Sequence, residues 1–264
     1  MSRDLPAGWS TDLAILALKG AVVDDRGDHL VVTTPGNPRF HWGNFVLVTD
    51  PAAADDAARW MSVFEDAFPH AGWRAIGLTR EPGNRTAWTG LGLDLEQDEV
   101  LTASTLPRMT PLADGYLARA LVSDDDWSQR LRRDVEENDI SGVHDPDDFL
   151  RFSQDQVRTQ RAMSEDGTGA WFGAFDTDGV LVADLGIVSC GRRARYQSVG
   201  TQEAHRRRGL AAHLLGVAAR WAAERGCEEW VIVTGSENPA GRVYRSVGFE
   251  PAAASTSAYR PPPR

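Results

Sequence analysis

The residues best able to do chemistry lie between Arg195 and Phe249. An apolar run, Arg195–Thr201, breaks into Gln202-Glu203-Ala204-His205-Arg206-Arg207-Arg208-Gly209, and then Leu210, Leu214, Val217, Ala218 and Trp221 mark one stripe of a helix. The order is strand, basic loop, and a helix opening at a glycine. The first backbone N–H groups of a helix have no acceptor within it, and the helix dipole adds partial positive charge there. Such a terminus suits an anion as large as a pyrophosphate. Gly209 and Ala211 carry no bulky side chain to hold a phosphate away from the backbone. A solvated basic turn at Arg206–Arg208 accounts for the same residues, so the loop by itself leaves both readings open.

Downstream come a short apolar strand, Glu229–Thr234, and the segment Asn238-Pro239-Ala240-Gly241-Arg242-Val243-Tyr244-Arg245-Ser246-Val247-Gly248-Phe249. Tyr244 is a phenol able to deliver a proton if a helix places it, or else a buried core tyrosine. In order and content the two segments resemble the GNAT superfamily of acetyl-CoA-dependent N-acetyltransferases. Arg206-x-x-Gly209-x-Ala211 is similar to that family's pyrophosphate loop, Gln/Arg-x-x-Gly-x-Gly/Ala. Asn238, Ala240, Tyr244, Gly248 and Phe249 are similar to its second motif, Asn-x-x-Ala-x-x-x-Tyr-x-x-x-Gly-Phe. Asn238 stands six residues before Tyr244, where the family pattern has seven. The resemblance covers about residues 112–260.

The resemblance implies roles residue by residue. Val199, Gly200 and Thr201 would hold pantetheine and acetyl group through their backbone, one N–H polarising the thioester carbonyl. Arg206, Arg207, Arg208, Gly209, Leu210 and Ala211 would cradle the pyrophosphate, and Asn238 would contact the cofactor. Tyr244 would protonate the departing CoA thiolate. Transfer would be direct, leaving Cys190 and Cys227 without a nucleophilic role. Glu203 sits where it could relay a proton through water, but a solvent-facing partner of Arg206 is an equal description. His205 has the same ambiguity, and His213 reads as structural.

Composition narrows the remaining classes. Of 28 basic residues in 264, one is lysine, Lys19, and no GxxxxGK[ST] occurs, which argues against P-loop and Schiff-base chemistry. The two cysteines and six scattered histidines suggest neither a disulfide framework nor a metal cluster, so no metal is expected. A net charge of −10 disfavours nucleic acid. No apolar run reaches the ~20 residues of a membrane span, and Met1–Pro6 lacks the apolar core of a secretory leader, so a cytoplasmic protein without a membrane partner is expected.

The length implies two domains, dividing near Pro107–Pro111 into residues 1–110 and 111–264. In the first, short β-type runs (Ala21–Asp25, His29–Thr33, Phe45–Thr49, Arg74–Thr79, Glu99–Thr105) surround one helix, Asp55–Phe68. In the second, Tyr116–Val122 precedes helices Asp124–Glu137 and Pro146–Glu165, a hairpin of Ala170–Phe175 and Val180–Val188, and the segments above. A tail strand, Ala252–Tyr259, closes it. The fold class is α/β, a mixed, mostly antiparallel sheet flanked by helices, as two GNAT-like domains in tandem. The first half parallels the second, with Trp88 where Tyr244 would stand. Its loop Pro51–Asp56 has neither glycine nor arginine, which marks it as a degenerate, non-catalytic half. Asn37–Phe45 resembles a stretch of tandem GNAT proteins and reads as packing, an acceptor lining or an interdomain seam.

The expected function is acetyl transfer from acetyl-CoA to a primary amine of a small molecule or peptide. The alternatives are a non-catalytic CoA-binding or protein-interaction module on the same fold, and a longer acyl donor. Residues 123–148 hold ten acids against three arginines, which points to a cationic acceptor or to an ordinary solvated face.

Overall fold

The computed structural model describes residues 5–142 and 145–262. Met1–Asp4, Val143–His144 and Pro263–Arg264 lie outside the described residues. The chain forms two compact units. Residues 1–102, 233–241 and 251–264 make the first, and residues 103–232 and 242–250 the second. The boundary therefore falls eight residues before the expected one, and the chain's last segment joins the first unit.

The first unit opens with α1 (Ala7–Leu18). Periodicity does not announce this helix, because Leu13–Leu18 are apolar in succession and show no stripe. Trp9, Ile15 and Leu16 are buried, and Trp9 Nε1 donates to the Leu78 carbonyl at 3.0 Å. Then follow β1 (Val22–Asp25), β2 (His29–Thr33), β3 (Phe45–Val48), α2 (Ala57–Ala67), β4 (Arg74–Leu78), α3 (Arg85–Thr89) and β5 (Asp94–Ala103). β1, β2 and β3 pair antiparallel, and α2 carries the chain across to β4, which is parallel to β3. The Asn37–Phe45 cluster closes on itself. Asn44 Oδ1 accepts from Thr34 N at 2.9 Å, its amide donates to the Asn37 and Phe40 carbonyls, and Trp42 packs on Trp9 and Phe45.

The second unit contains β6 (Leu117–Ala120), α4 (Asp124–Ser141), α5 (Pro146–Glu165), β7 (Gly169–Phe175), β8 (Leu181–Cys190), β9 (Arg193–Thr201) and α6 (Leu210–Ala223). The N-cap of α4 is Ser123. Its Oγ accepts from Asp126 N at 3.1 Å, and the Asp126 carboxylate returns to Ser123 N at 3.0 Å, a capping box. β6 to β9 form an antiparallel meander whose turn at Asp176–Gly179 is held by Asp176 Oδ1, which accepts from the N–H groups of Asp178 and Val180. β7 is buried along its length, and α6 lays Leu214, Leu215 and Ala218 against the sheet.

β10 (Glu229–Gly235) begins parallel to β9, with Glu229 opposite Arg193 and Val231 opposite Arg195. α7 (Ala240–Ser246), β11 (Glu250–Pro251) and β12 (Ser255–Arg260) complete the chain. The tail strand was expected to close the second domain. Instead β12 lies between β4 and β5, antiparallel to both, with Tyr259 opposite Ala75 and Asp94. β4 and β5 make no ladder with each other, and a strand that pairs on both edges satisfies two rows of backbone groups at once. Each unit thus has a mixed sheet, antiparallel except for its one β-α-β crossover pair.

Candidate functional site

β9 is irregular where its chemistry was expected. Gln197 faces Gly186 and Gly200 faces Asp184, so Ser198 and Val199 together oppose Leu185. This is a β-bulge, and Ser198 takes φ 49°, a left-handed value uncommon for serine. A bulge takes backbone polar groups out of the ladder and re-aims them, which is what a strand needs in order to bond a ligand. Val199, Gly200 and Thr201 are half-buried around it.

Past Thr201 the chain makes a 3-10 turn over Glu203–His205. Arg206 Nε donates back to the Thr201 carbonyl at 3.1 Å, Arg207 adopts φ 63° and Gly209 φ 77°. Left-handed residues within a turn gather N–H groups into an anion-binding concavity. Gly209 is the N-cap of α6, and no side chain caps the helix. Arg206, Arg207, Arg208 and Gly209 are exposed, while Leu210 is buried and Ala211 half-buried. His205 Nδ1 meets the Tyr116 hydroxyl at 2.9 Å, with the Arg208 guanidinium 6.0 Å from the Tyr116 ring centre.

Tyr244 lies on α7, 5% exposed, with its ring against Phe249. Burial pushes its pKa up to about 12, so the hydroxyl is protonated across the neutral range.

These elements can now be set beside known proteins. No curated protein matches the chain in sequence. The profile of the acetyltransferase (GNAT) family matches residues 132–249, a span containing the bulge, the arginine loop, α6 and Tyr244. This segment is a GNAT-family domain. The fold of the whole chain is similar to a GCN5-related N-acetyltransferase from Kribbella flavida (TM-score 0.70, 17% identity, 98% of this chain and 97% of that one). It is also similar to one from Sphaerobacter thermophilus (TM-score 0.58, 18% identity, 90% and 82%). A tandem GNAT protein from the clavulanic acid biosynthesis pathway gives a TM-score of 0.53 at 15% identity, over 89% and 74% of the two chains.

Within the GNAT domain most of the expected residues lie on one strand, one loop and two helices. Asn238 differs. It falls among the residues of the first unit, and its Oδ1 accepts from the N–H of Ala240, the first residue of α7, at 3.0 Å. Glu203 is exposed and makes no ion pair among the described residues, so it is not the partner of Arg206. His213 is structural, its Nδ1 donating to the Thr110 carbonyl at 2.7 Å.

Two groups of residues escaped sequence reading. The first is a strap, Arg108–Thr110. Arg108 N donates to the Val247 carbonyl and its guanidinium to that of Ser246, while Thr110 Oγ1 donates to Gly209 O at 3.3 Å. The strap thereby holds the N-terminus of α6 and the end of the Tyr244 helix. It can lie on α6 because residue 216 is glycine; a Cβ there would come within 2.6 Å of Met109 Cα. The second is a buried ionic group around Asp184. Neither has a local signal, because each joins residues far apart in the chain. Among the described residues no three His, Cys, Asp or Glu gather as metal ligands, and no helix is long and apolar enough to cross a membrane.

Proposed function

We propose that the chain is an acetyl-CoA-dependent N-acetyltransferase acting on a primary amine of a small molecule or peptide. The observation that supports this best is the uncapped N-terminus of α6, set at the end of a bulged strand and preceded by three exposed arginines. Its free amides and the Arg206–Arg208 loop suit a pyrophosphate. The Val199–Thr201 backbone suits pantetheine and the thioester carbonyl, whose developing charge an N–H would stabilise. The amine nitrogen attacks the carbonyl carbon, the C–N bond forms, and the C–S bond breaks with its electron pair passing to sulfur. Tyr244 gives that sulfur its phenolic proton. The amine's own proton leaves through water, with Glu203 the loop carboxylate available to take it. The first unit we read as a GNAT-like partner in tandem, without catalysis.

Calorimetry should show one acetyl-CoA site per chain, and a thiol-release assay should show turnover with members of an amine panel. The burial of Tyr244 favours a second reading, a CoA-binding module in which this tyrosine is core. That reading predicts binding with no release from any amine. Absence of binding removes both.

A further inference from the structure

Beneath β9 lies a group of side chains for which acetyl transfer as described has no use. Asp184, opposite Gly200, is 2% exposed and carries two arginines from α4. Arg130 Nη1 donates to its Oδ2 at 2.6 Å, and Arg133 Nη1 donates to its Oδ1. Arg130 Nε donates to Gln160 Oε1 at 2.8 Å, and its Nη1 lies 3.4 Å from Asp134. The two guanidinium side chains are 1% and 9% exposed, yet Arg130 Nη2 and Arg133 Nε are buried with no hydrogen-bond partner. Charged donors left bare in an interior are costly, and an anion would relieve them. Burial, and then the like charge of Arg130, hold Arg133 down to a pKa of about 10.

Arg133 also lines a cavity of about 360 Å³, together with Gln129, Arg132, Glu136, Asp178 and Gln202. Gln202 directly follows the strand end Val199–Thr201. A Cβ on Gly200 would lie 3.0 Å from Arg133 Nη2, so the arginine sits against the backbone assigned to the acetyl group. The lining holds both signs, Arg132 and Arg133 with Asp125, Glu136 and Asp178. The volume is near the lower end of the ~300–1,000 Å³ usual for ligand pockets, which favours a small molecule over a peptide.

We propose that this cavity binds the acceptor, and that the acceptor is a small amino-carboxylate, an amino acid or similar zwitterion whose carboxylate sits on the unpartnered edge of Arg133. An amine one or two carbons away then lies beside Val199–Thr201. The acidic residues of the rim attract the ammonium form on entry, so the acids of α4 serve approach and the buried arginine serves recognition. The inference rests on the acetyltransferase reading. A dicarboxylic acyl donor would offer Arg133 the same carboxylate, and the test separates the two sources.

Calorimetry on the full chain saturated with CoA, using matched pairs of an amino acid and its carboxamide, reads the carboxylate without turnover. The acid should bind more tightly than the amide by on the order of 10–100-fold, as expected of a charge-assisted, forked contact. Arg133→Met should bring that ratio towards unity, and Arg133→Lys should keep part of it. Equal binding of acid and amide to the wild type overturns the proposal, as does a ratio unchanged in Arg133→Met. Should Arg133→Met fail to fold, the wild-type pairs and Arg133→Lys decide. Thiol release from acetyl-CoA with the same pairs reports the transfer reading separately: carboxylate-dependent binding without release keeps the site and removes the transferase. A preference for a dicarboxylic acyl-CoA that Arg133→Met abolishes, with no preference among the amines, overturns the acceptor assignment in favour of the donor.

Discussion

The two units each lead a strand through a loop into a helix and back to a parallel strand, and the two loops are finished in opposite ways. Between β3 and α2, Asp50 Oδ1 accepts from Ala52 N at 2.9 Å, Asp56 Oδ1 from Arg59 N at 3.2 Å and Asp55 Oδ1 from Asn84 N at 2.9 Å. Trp60 and Trp88 donate their indole N–H groups to the Ala53 and Ala54 carbonyls. The chain's own carboxylates thus accept from backbone N–H groups of this loop, of α2 and of the turn before α3. Between β9 and α6 the cap is Gly209, with no side chain in that place, and three arginines outnumber the one carboxylate, Glu203. A carboxylate cap satisfies a helix and repels a phosphate; a glycine cap leaves the donors open. The short helix α3 carries a buried Trp88, and α7 carries Tyr244.

The largest effect should come from making the second loop resemble the first. Gly209→Asp should abolish CoA binding, since like charges about 4 Å apart near a surface cost about 4 kcal/mol. Gly209→Asn tolerates the same left-handed backbone without the charge and should bind more tightly than Gly209→Asp. Calorimetry that finds the two variants equal would break the comparison. The converse change, Asp56→Gly, should leave the stoichiometry at one site per chain.

The tyrosine difference is the next in size. Tyr244→Phe should lower kcat by about 100-fold, the low end for general acid catalysis, because a thiolate is already a fair leaving group. KM for acetyl-CoA should move little. With the hydroxyl's pKa pushed up to about 12, the ratio of wild-type to variant rate should be flat between about pH 6 and 9. A ratio that changes across this range would assign the proton to another group.

The strap sharpens the comparison from a distance. Gly216→Ala gains about 1 kcal/mol of helix propensity but meets Met109, and such overpacking costs about 1–3 kcal/mol. The expected result is a lower Tm with a raised KM for acetyl-CoA, because Thr110 loses its hold on Gly209. An increase in Tm would show that the strap yields freely.

The smallest effect concerns acid. The Arg119 guanidinium and the N–H groups of Val122 and Ser123 hold Asp126 well below the usual carboxylate range. An unfolded aspartate protonates near pH ~3.9, so this contribution is complete above that value and is lost as pH falls towards the lower folded pKa. Asp126→Asn should therefore narrow the stability gap between neutral and acid pH, measured by denaturant midpoints.

The sequence by itself determined what is local. The arginine loop, the glycine opening α6, the stripe of that helix and the turn at Asp176–Gly179 are each legible within a dozen residues, because capping, periodicity and turn chemistry act over that range. Tertiary structure decided the rest. The bulge at Ser198 exists only relative to β8, since register is a property of two strands. β12 belongs to the first unit because β4 and β5 leave a slot between them, which no property of Ser255–Arg260 reveals alone. Whether Gly209 would be capped from elsewhere depended on Thr110, which donates to its carbonyl and leaves the amides of α6 uncapped. Arg130 and Asp184 are 54 residues apart, and each in its own segment reads as an ordinary charge. Only packing that removes water from both creates their partnership and the donors it leaves over.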